Sequence, residues 1–446
     1  MKAASSIYKI AITAILTLPL LVSAAGIGVI YKDAVLNDPL LGQARKKLEI
    51  GKVQQDLAKA QIYPNVSANI AVTESDLDQD LKISNPFMND GRSHQRAAML
   101  SLSMPLYNFG IFSALKQAKI NIHQKELEVE AAKQDLIIRV VSAYFETLAA
   151  RDNLEFTLLE KKAIKRQLDQ IKNRLELGQV AATGVYEAQA RYDLMAASVT
   201  QAEETLANRF EALREITGKR YNSVGFLKDN CSFTATDLLT IKQWQKLSNE
   251  NNPDLAAADK AIELAQENIQ YCKTQAYPYL SLDSNVQRSN DSGYMAGTTT
   301  SGSLTISLSI PIYSGGKVST SVREASKQFE MAKLIKEQGI RKVYRQINAS
   351  YNGVNTSISR ITALKQALAS AKLAHEATAS GYEFGTRTIV DVINAQTELH
   401  RAQLNLKQAK YSYILNRMLL KRAAGTITPK DINKLEGVIS AEEQIN

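Results

Sequence analysis

The segment Ser103-Met104-Pro105-Leu106-Tyr107 returns as Ser309-Ile310-Pro311-Ile312-Tyr313, with Pro105 and Pro311 206 residues apart. It does not return alone. Pro39 and Pro64 are echoed by Pro253 and Pro278, both 214 residues on. Tyr144 meets Tyr351, Gly178 meets Gly385, Val185 meets Val392 and Gly218 meets Gly425, all 207 apart. A near-constant offset is the mark of internal duplication, so whatever one half folds into, the other must too. The offset steps from 214 to 206 between the two proline landmarks. The first repeat therefore carries eight extra residues there, expected in a longer surface loop.

Between the prolines the hydrophobic period is two. Val66, Ala68, Ile70 and Val72 alternate with Ser67, Asn69 and Ala71; Leu100, Leu102, Met104 and Leu106 alternate with Ser101 and Ser103. In the second repeat Leu280, Leu282 and Val286 alternate with Ser281, Asp283 and Asn285. Leu304, Ile306, Leu308, Ile310 and Ile312 alternate with Thr305, Ser307 and Ser309. Four strands of about ten residues, paired as two hairpins, are predicted. A soluble sandwich would alternate in the same way. Three features favour a membrane barrel: a length suited to a tilted crossing, tyrosines 63, 107, 277, 279 and 313 gathered at one end of the strands, where an interfacial girdle sits, and a secretion signal at the start of the chain.

The period then changes to that of a helix. From 111 to 177 there is no Pro or Gly, which predicts one helix of roughly 100 Å at about 1.5 Å per residue. Its mate spans about 317–384. In the mate Ile340, Val343, Ile347, Ser350, Val354, Ser357, Ile361, Leu364, Leu368, Ala371 and His375 alternate in steps of three and four, the spacing of a coiled coil. Ile164, Leu168, Ile171 and Leu175 do the same in the first repeat. Each long helix ends at Leu177-Gly178 or Phe384-Gly385, and a second helix runs back to about Thr217 or Ala424. Shorter helices are expected at about 40–60 and 253–275.

Residues 1–24 read as a secretory signal peptide: Lys2 and Lys9, an apolar Ile10–Val22 broken by Pro19, then small residues at Ser23 and Ala24. The expected organisation is a signal peptide 1–24, a first repeat 25–220, a connector 221–250, a second repeat 251–425 and a weakly structured tail 426–446. Lys and Arg number 54 against 45 Asp and Glu, spread too thinly for nucleic acid. His94, His123, His375 and His400 lack metal spacing, and no disulfide is expected between Cys231 and Cys272. No phosphate loop and no nucleophile with a base is legible. Neither enzyme activity, metal nor cofactor is therefore expected.

Four strands cannot close a barrel, and an open sheet in lipid leaves edge groups unpaired. Copies must combine. Two chains give eight strands and three give twelve; three copies of two repeats give sixfold pseudo-symmetry, the preferred reading. A periplasmic adaptor also has long helical hairpins but needs no lumen-polar strands. A trimeric adhesin would carry one barrel segment after a long passenger.

The stretch Gly381-Tyr382-Glu383-Phe384-Gly385-Thr386-Arg387-Thr388-Ile389-Val390-Asp391-Val392 resembles the TolC family of outer-membrane efflux and secretion channels. So do Arg166–Gln170 and Leu213–Gly218. The resemblance implies a mixed α and β membrane protein: a homotrimer with a twelve-strand β-barrel in the outer membrane, continued by a long α-helical coiled-coil tunnel in the periplasm. It implies a passive exit duct for drugs, toxic small molecules or secreted proteins. The implied partners are a periplasmic adaptor, an inner-membrane transporter of RND, ABC or MFS type, and outer-membrane lipid.

It also implies site residues. Asp391 matches a position that contributes one carboxylate per chain to an acidic ring at the tunnel entrance; otherwise it is an acid at a helix N-terminus. The family's second acidic position is Asn394 here, and Glu398, seven residues past Asp391, could stand in for it. Thr183, Tyr382 and Arg387 match positions that link neighbouring coiled coils in the closed state. The acid that follows the threonine is replaced by Gly184, which leaves Glu187 as an acceptor and implies a looser resting gate. The turns at Gly178, Gly385 and Thr386 are the expected adaptor contacts.

Overall fold

In a computed structural model of the chain, residues 25–77, 91–179, 181–228, 239–292 and 296–440 are described here. The expected signal peptide and Cys231 lie outside them. In chain order the elements are α1 (Ile27–Asn37), α2 (Pro39–Ala60), β1 (Asn65–Leu77), β2 (Gly91–Tyr107), α3 (Phe109–Glu176), α4 (Ala182–Thr217), β3 (Phe226–Leu227), α5 (Ile241–Asn251), α6 (Pro253–Thr274), β4 (Tyr279–Asp291), β5 (Gly297–Ser309), α7 (Lys317–Glu383), α8 (Ile389–Ala423), α9 (Pro429–Val438) and β6 (Ile439–Ser440). The two long helices are 68 and 67 residues, and the helices that return from them 36 and 35.

The chain forms two compact units. One comprises residues up to Ala34, Val140–Ser232 and Lys430 onward; the other comprises Val35–Arg139 and Phe233–Pro429.

The second unit holds the sheet, ordered β1-β2-β4-β5 and antiparallel throughout. Its strands run 13, 17, 13 and 13 residues, longer than the ten expected. Alternation ends near Val72 and Leu304, but the ladder continues through polar pairs such as Glu74–His94 and Arg288–Thr300. Pairing needs only backbone groups, so the strands outrun their hydrophobic signal. At the other end β5 stops at Ser309, short of the expected Ile312, because Pro311 has no N–H to give. Pro105 is accommodated in β2 by a bulge before Tyr107.

Helix α2 begins at Asp38, whose carboxylate accepts the Leu41 N–H at 2.7 Å. Arg139 holds the same carboxylate through two bonds of 2.7 Å. Asn252 does the matching work for α6: it accepts from Asp254 and Leu255 N–H, and its amide donates to the Ala423 carbonyl at 2.9 Å. Trp244, Leu255, Val343, Ile347, Leu420, Ala423 and Ala424 form the core between α5, α6, α7 and α8. Arg422 ties this layer together by donating to Asp135 at 2.6 Å and Asp254 at 2.8 Å. Gly425 closes α8 with φ +73°, a left-handed turn. Of the α7 seam, Val343, Ile347, Ser350, Val354, Ser357 and Ile361 are buried, while Leu364, Leu368, Ala371 and His375 are half-buried. Each buried aliphatic side chain contributes about 1.5–3 kcal/mol.

The first unit corrects the expected tail. Residues 429–440 are not weakly structured: α9 buries Ile432 and Leu435, and β6 pairs with β3. The connector likewise contains β3 and α5. A sequence window sees only elements of two to eleven residues here, too short for a periodic signal; their stability comes from what they pack on. Arg151 clamps β3 by donating to the Val224 carbonyl at 2.8 Å and lying 3.6 Å over the Phe226 ring. Helix α1, also unforeseen, buries Ile27, Ile30 and Ala34.

Candidate functional site

The two faces of the sheet differ chemically. Row by row, Ser67–Ser101–Asn285–Ser303 and Asn65–Ser103–Asp283–Thr305 lie on one face. Hydroxyls and amides there bond one another: Ser303 Oγ donates to Asn285 Oδ1 at 2.6 Å, and Ser103 and Ser281 donate to Asp283. The other face carries Val66, Ile70, Leu100, Val286, Leu304, Ile306 and Leu308, all exposed in the single chain. At the helical end Tyr107, Phe109 and Tyr277 meet edge to face, with centroids 4.9 and 5.2 Å apart. A sheet apolar on one side and hydrogen-bonding on the other has the chemistry that a wall between lipid and water needs.

The turn between α7 and α8 is built by Gly385, at φ +76°. The Thr386 N–H reaches back to the Gly381 carbonyl at 2.8 Å and the Gly385 N–H to Tyr382 at 3.1 Å, the Schellman pattern. The stem of Arg387 lies over Gly381, where an added Cβ would sit 2.9 Å from Arg387 Cγ. No sequence signal singles out Gly381 for that role. Thr388 then caps α8. Asp391 Oδ2 accepts its N–H at 2.9 Å and its hydroxyl at 2.8 Å, while the Asp391 N–H donates back to Thr388 Oγ1. The backbone and hydroxyl of Thr388 hold the Asp391 carboxyl below its usual range, with Arg387 adding to the effect. Oδ1 makes no hydrogen bond among the described residues. Asn394 and Glu398 follow on the same helix face, both exposed, and Glu398 pairs with Arg401 at 2.9 Å.

The turn between α3 and α4 repeats the pattern, with Gln179 N–H to Arg174 O at 2.9 Å and Gly178 N–H to Leu175 O at 2.9 Å. The helix that follows starts differently. Its N-cap is Ala181, with no side-chain bond, and its first turn has no acid. Thr183 and Glu187 are exposed there, and a Cβ on Gly184 would meet only Ile171 Cγ2, at 3.9 Å. The expected site residues thus gather at two turns, Gly178, Thr183, Gly184 and Glu187 at one and Tyr382, Gly385, Thr386, Arg387, Asp391, Asn394 and Glu398 at the other. Among the described residues no group of three His, Cys, Asp or Glu could hold a metal, and no helix is long and apolar enough to cross a membrane.

Residues 30–219 and 244–426 match the family model described as "Outer membrane efflux protein". The chain belongs to the outer membrane efflux protein family. It is 33% identical to the outer membrane protein TolC of Vibrio cholerae over 93% of this chain and 96% of that one. It is 30% identical to the outer membrane protein TolC of Escherichia coli, over 94% and 85%. Its fold is similar to the Campylobacter jejuni CmeC outer membrane channel, with a TM-score of 0.75 at 16% identity over 93% of this chain and 90% of that one. The expected family and outer-membrane location are therefore met. An outer membrane efflux protein is a channel, and its family is not one of enzymes.

Proposed function

We propose that three copies of this chain close a twelve-strand barrel in the outer membrane, and that their helical hairpins line a tunnel in the periplasm. The carrying observation is the four-stranded sheet. Strands β1 and β5 each pair on one side only, while one face is apolar and the other polar. In lipid each unpaired edge group costs several kcal/mol, so the edges must meet those of other copies. The matched helix lengths support two structural repeats per chain, hence sixfold pseudo-symmetry. Drugs, other toxic small molecules or secreted proteins pass through a water-filled duct, driven by an inner-membrane transporter of RND, ABC or MFS type docked through a periplasmic adaptor at the helical turns around Gly178 and Gly385.

Asp391 in this reading does two things. Oδ2 caps α8, and the unbonded Oδ1 adds to an acidic ring at the tunnel entrance. Three carboxylates around an axis attract cations. Asn394 weakens that field, and Glu398 is largely neutralised by Arg401. With Gly184 in place of an acid, the closed-state links between neighbouring coiled coils have one carboxylate fewer, and the resting gate is looser. The test is conductance of the purified protein in planar bilayers, with a multivalent cation added on the tunnel side. Small cation-selective steps are expected, with block weakened in Asp391→Ala. Block unchanged by that substitution removes the ring assignment; no conductance from a membrane-inserted oligomer removes the duct.

A further inference from the structure

The outward face of the sheet does not end in neutral residues. Each strand has a last apolar residue before the hairpin turns: Val72 on β1, Ala98 on β2, Val286 on β4 and Leu304 on β5. Their register slants steadily across the sheet, Val72 pairing Arg96, Ala98 pairing Arg288, and Val286 pairing Gly302. The boundary of the apolar band therefore crosses the strands obliquely, as tilted strands in a bilayer require. The next outward residue on each of the two inner strands is an arginine: Arg96 on β2 and Arg288 on β4.

We infer that Arg96 and Arg288 bind the phosphate groups of anionic lipid in the outer leaflet of the outer membrane. The two are diagonal neighbours, Arg96 opposite Asn290 and Arg288 opposite Ala98. Diagonal pairs on one face have Cα atoms about 7–8 Å apart, within reach of a shared phosphate for long side chains. Both are exposed, and neither has an ion-pair partner among the described residues. Their neighbours differ. Arg92 faces Asp76 at 3.7 Å, and His94 faces Glu74 at 3.8 Å. Arg92 thus has a carboxylate partner within the sheet, whereas the two boundary arginines have none at ion-pair distance among the described residues. An arginine at the edge of an apolar band can lay its stem along that surface and hold a phosphate through paired hydrogen bonds. Strands β2 and β4 are inner strands, so a neighbouring copy joining at β1 or β5 leaves these two arginines open to lipid.

The inference rests on the barrel reading, and the experiment separates the two. The full chain is placed in phosphatidylcholine nanodiscs with or without one-tenth lipid A, and retained lipid A is counted by native mass spectrometry after detergent washing. The double variant Arg96→Gln/Arg288→Gln should retain about five-fold less lipid A than the wild type. The double Lys variant should lose less than about two-fold, and Arg92→Gln should match the wild type. Bilayer conductance is measured for each. A double Gln variant that conducts normally and retains lipid A like the wild type overturns the inference. Should that variant not assemble, Arg288→Gln alone decides, with a two- to three-fold loss expected and no loss overturning it. A wild type that neither inserts nor conducts overturns the barrel reading and this inference with it.

Discussion

Replacing Gly425 with alanine tests how the end of α8 is joined to the start of α6. Two costs arise together. The residue sits at φ +73°, where an L side chain costs about 1–2 kcal/mol. The added Cβ would also stand 2.3 Å from the Asn251 carbonyl oxygen and 2.6 Å from the Asn252 Cα. These are backbone atoms, so relief requires the α5–α6 junction to shift. That junction carries the buried Asn252, whose side chain caps α6 and holds the Ala423 carbonyl. Overpacking costs about 1–3 kcal/mol and a damaged cap about 1 kcal/mol. About 4 kcal/mol is expected in all. Gly385→Ala is the control, because φ is +76° but nothing lies within 4 Å of the new Cβ. It should cost only the backbone strain, about 1–2 kcal/mol. The assay is urea unfolding of both variants at one protein concentration, followed by circular dichroism. At a slope near 3 kcal/mol/M the difference separates their midpoints by about 1 M. Equal midpoints would refute the argument, since they would mean that the junction gives way freely.

Arg139→Leu strands the buried Asp38 carboxylate and should cost about 3–5 kcal/mol, while Asp38→Asn keeps the cap, as Asn252 does for α6, and should cost less; thermal melting ranks them. Burial pushes the Asp38 carboxyl up, but the Arg139 and Leu41 bonds outweigh it and the net shift is downward from 3.8. The stability this pair supplies is therefore complete above about pH 4 and lost as pH falls through the lowered folded value, which a melting series from pH 7 to pH 2 reads directly. Asp391→Ala removes the α8 capping box and should lower amide protection through the first turn; in the unchanged chain the same protection should hold above pH 4 and fade below it. Gly184→Asp adds an acid to an uncapped helix start and should stabilise α4 by about 0.5–1 kcal/mol. It should also reduce resting conductance, and an unchanged conductance would sink the looser-gate reading. Ile432→Ala should cost about 2–5 kcal/mol, and a cost near zero would mean that α9 is not part of the core.

What the sequence made legible follows from the length over which each signal is repeated. The α7 seam recurs over five heptads, and α2, α6 and the long helices lie within about two residues of their expected bounds. The strands were legible only where one face is apolar; beyond Val72 and Leu304 the residues turn polar and the ladder continues unannounced. Helix α9 and the β3–β6 pair were not legible at all, because Ile432 and Phe226 owe their places to partners far away in sequence, Arg151 among them. The candidate site divides along the same line. Thr388-x-x-Asp391 is a local motif, and the structure shows its capping bonds. Ala181-x-x-Gly184 has the same spacing with neither functional group, and the α4 start accordingly lacks a side-chain cap. A duct that opens by moving helix starts would meet less local resistance at α4 than at α8, for reasons written in four residues at each turn. The carboxylate that fixes α8 also supplies the charge of the proposed ring, so Asp391→Ala does not change the field alone. Asn394→Asp does: it is exposed, one turn on, and outside the capping box, so it should deepen cation selectivity without altering α8 protection.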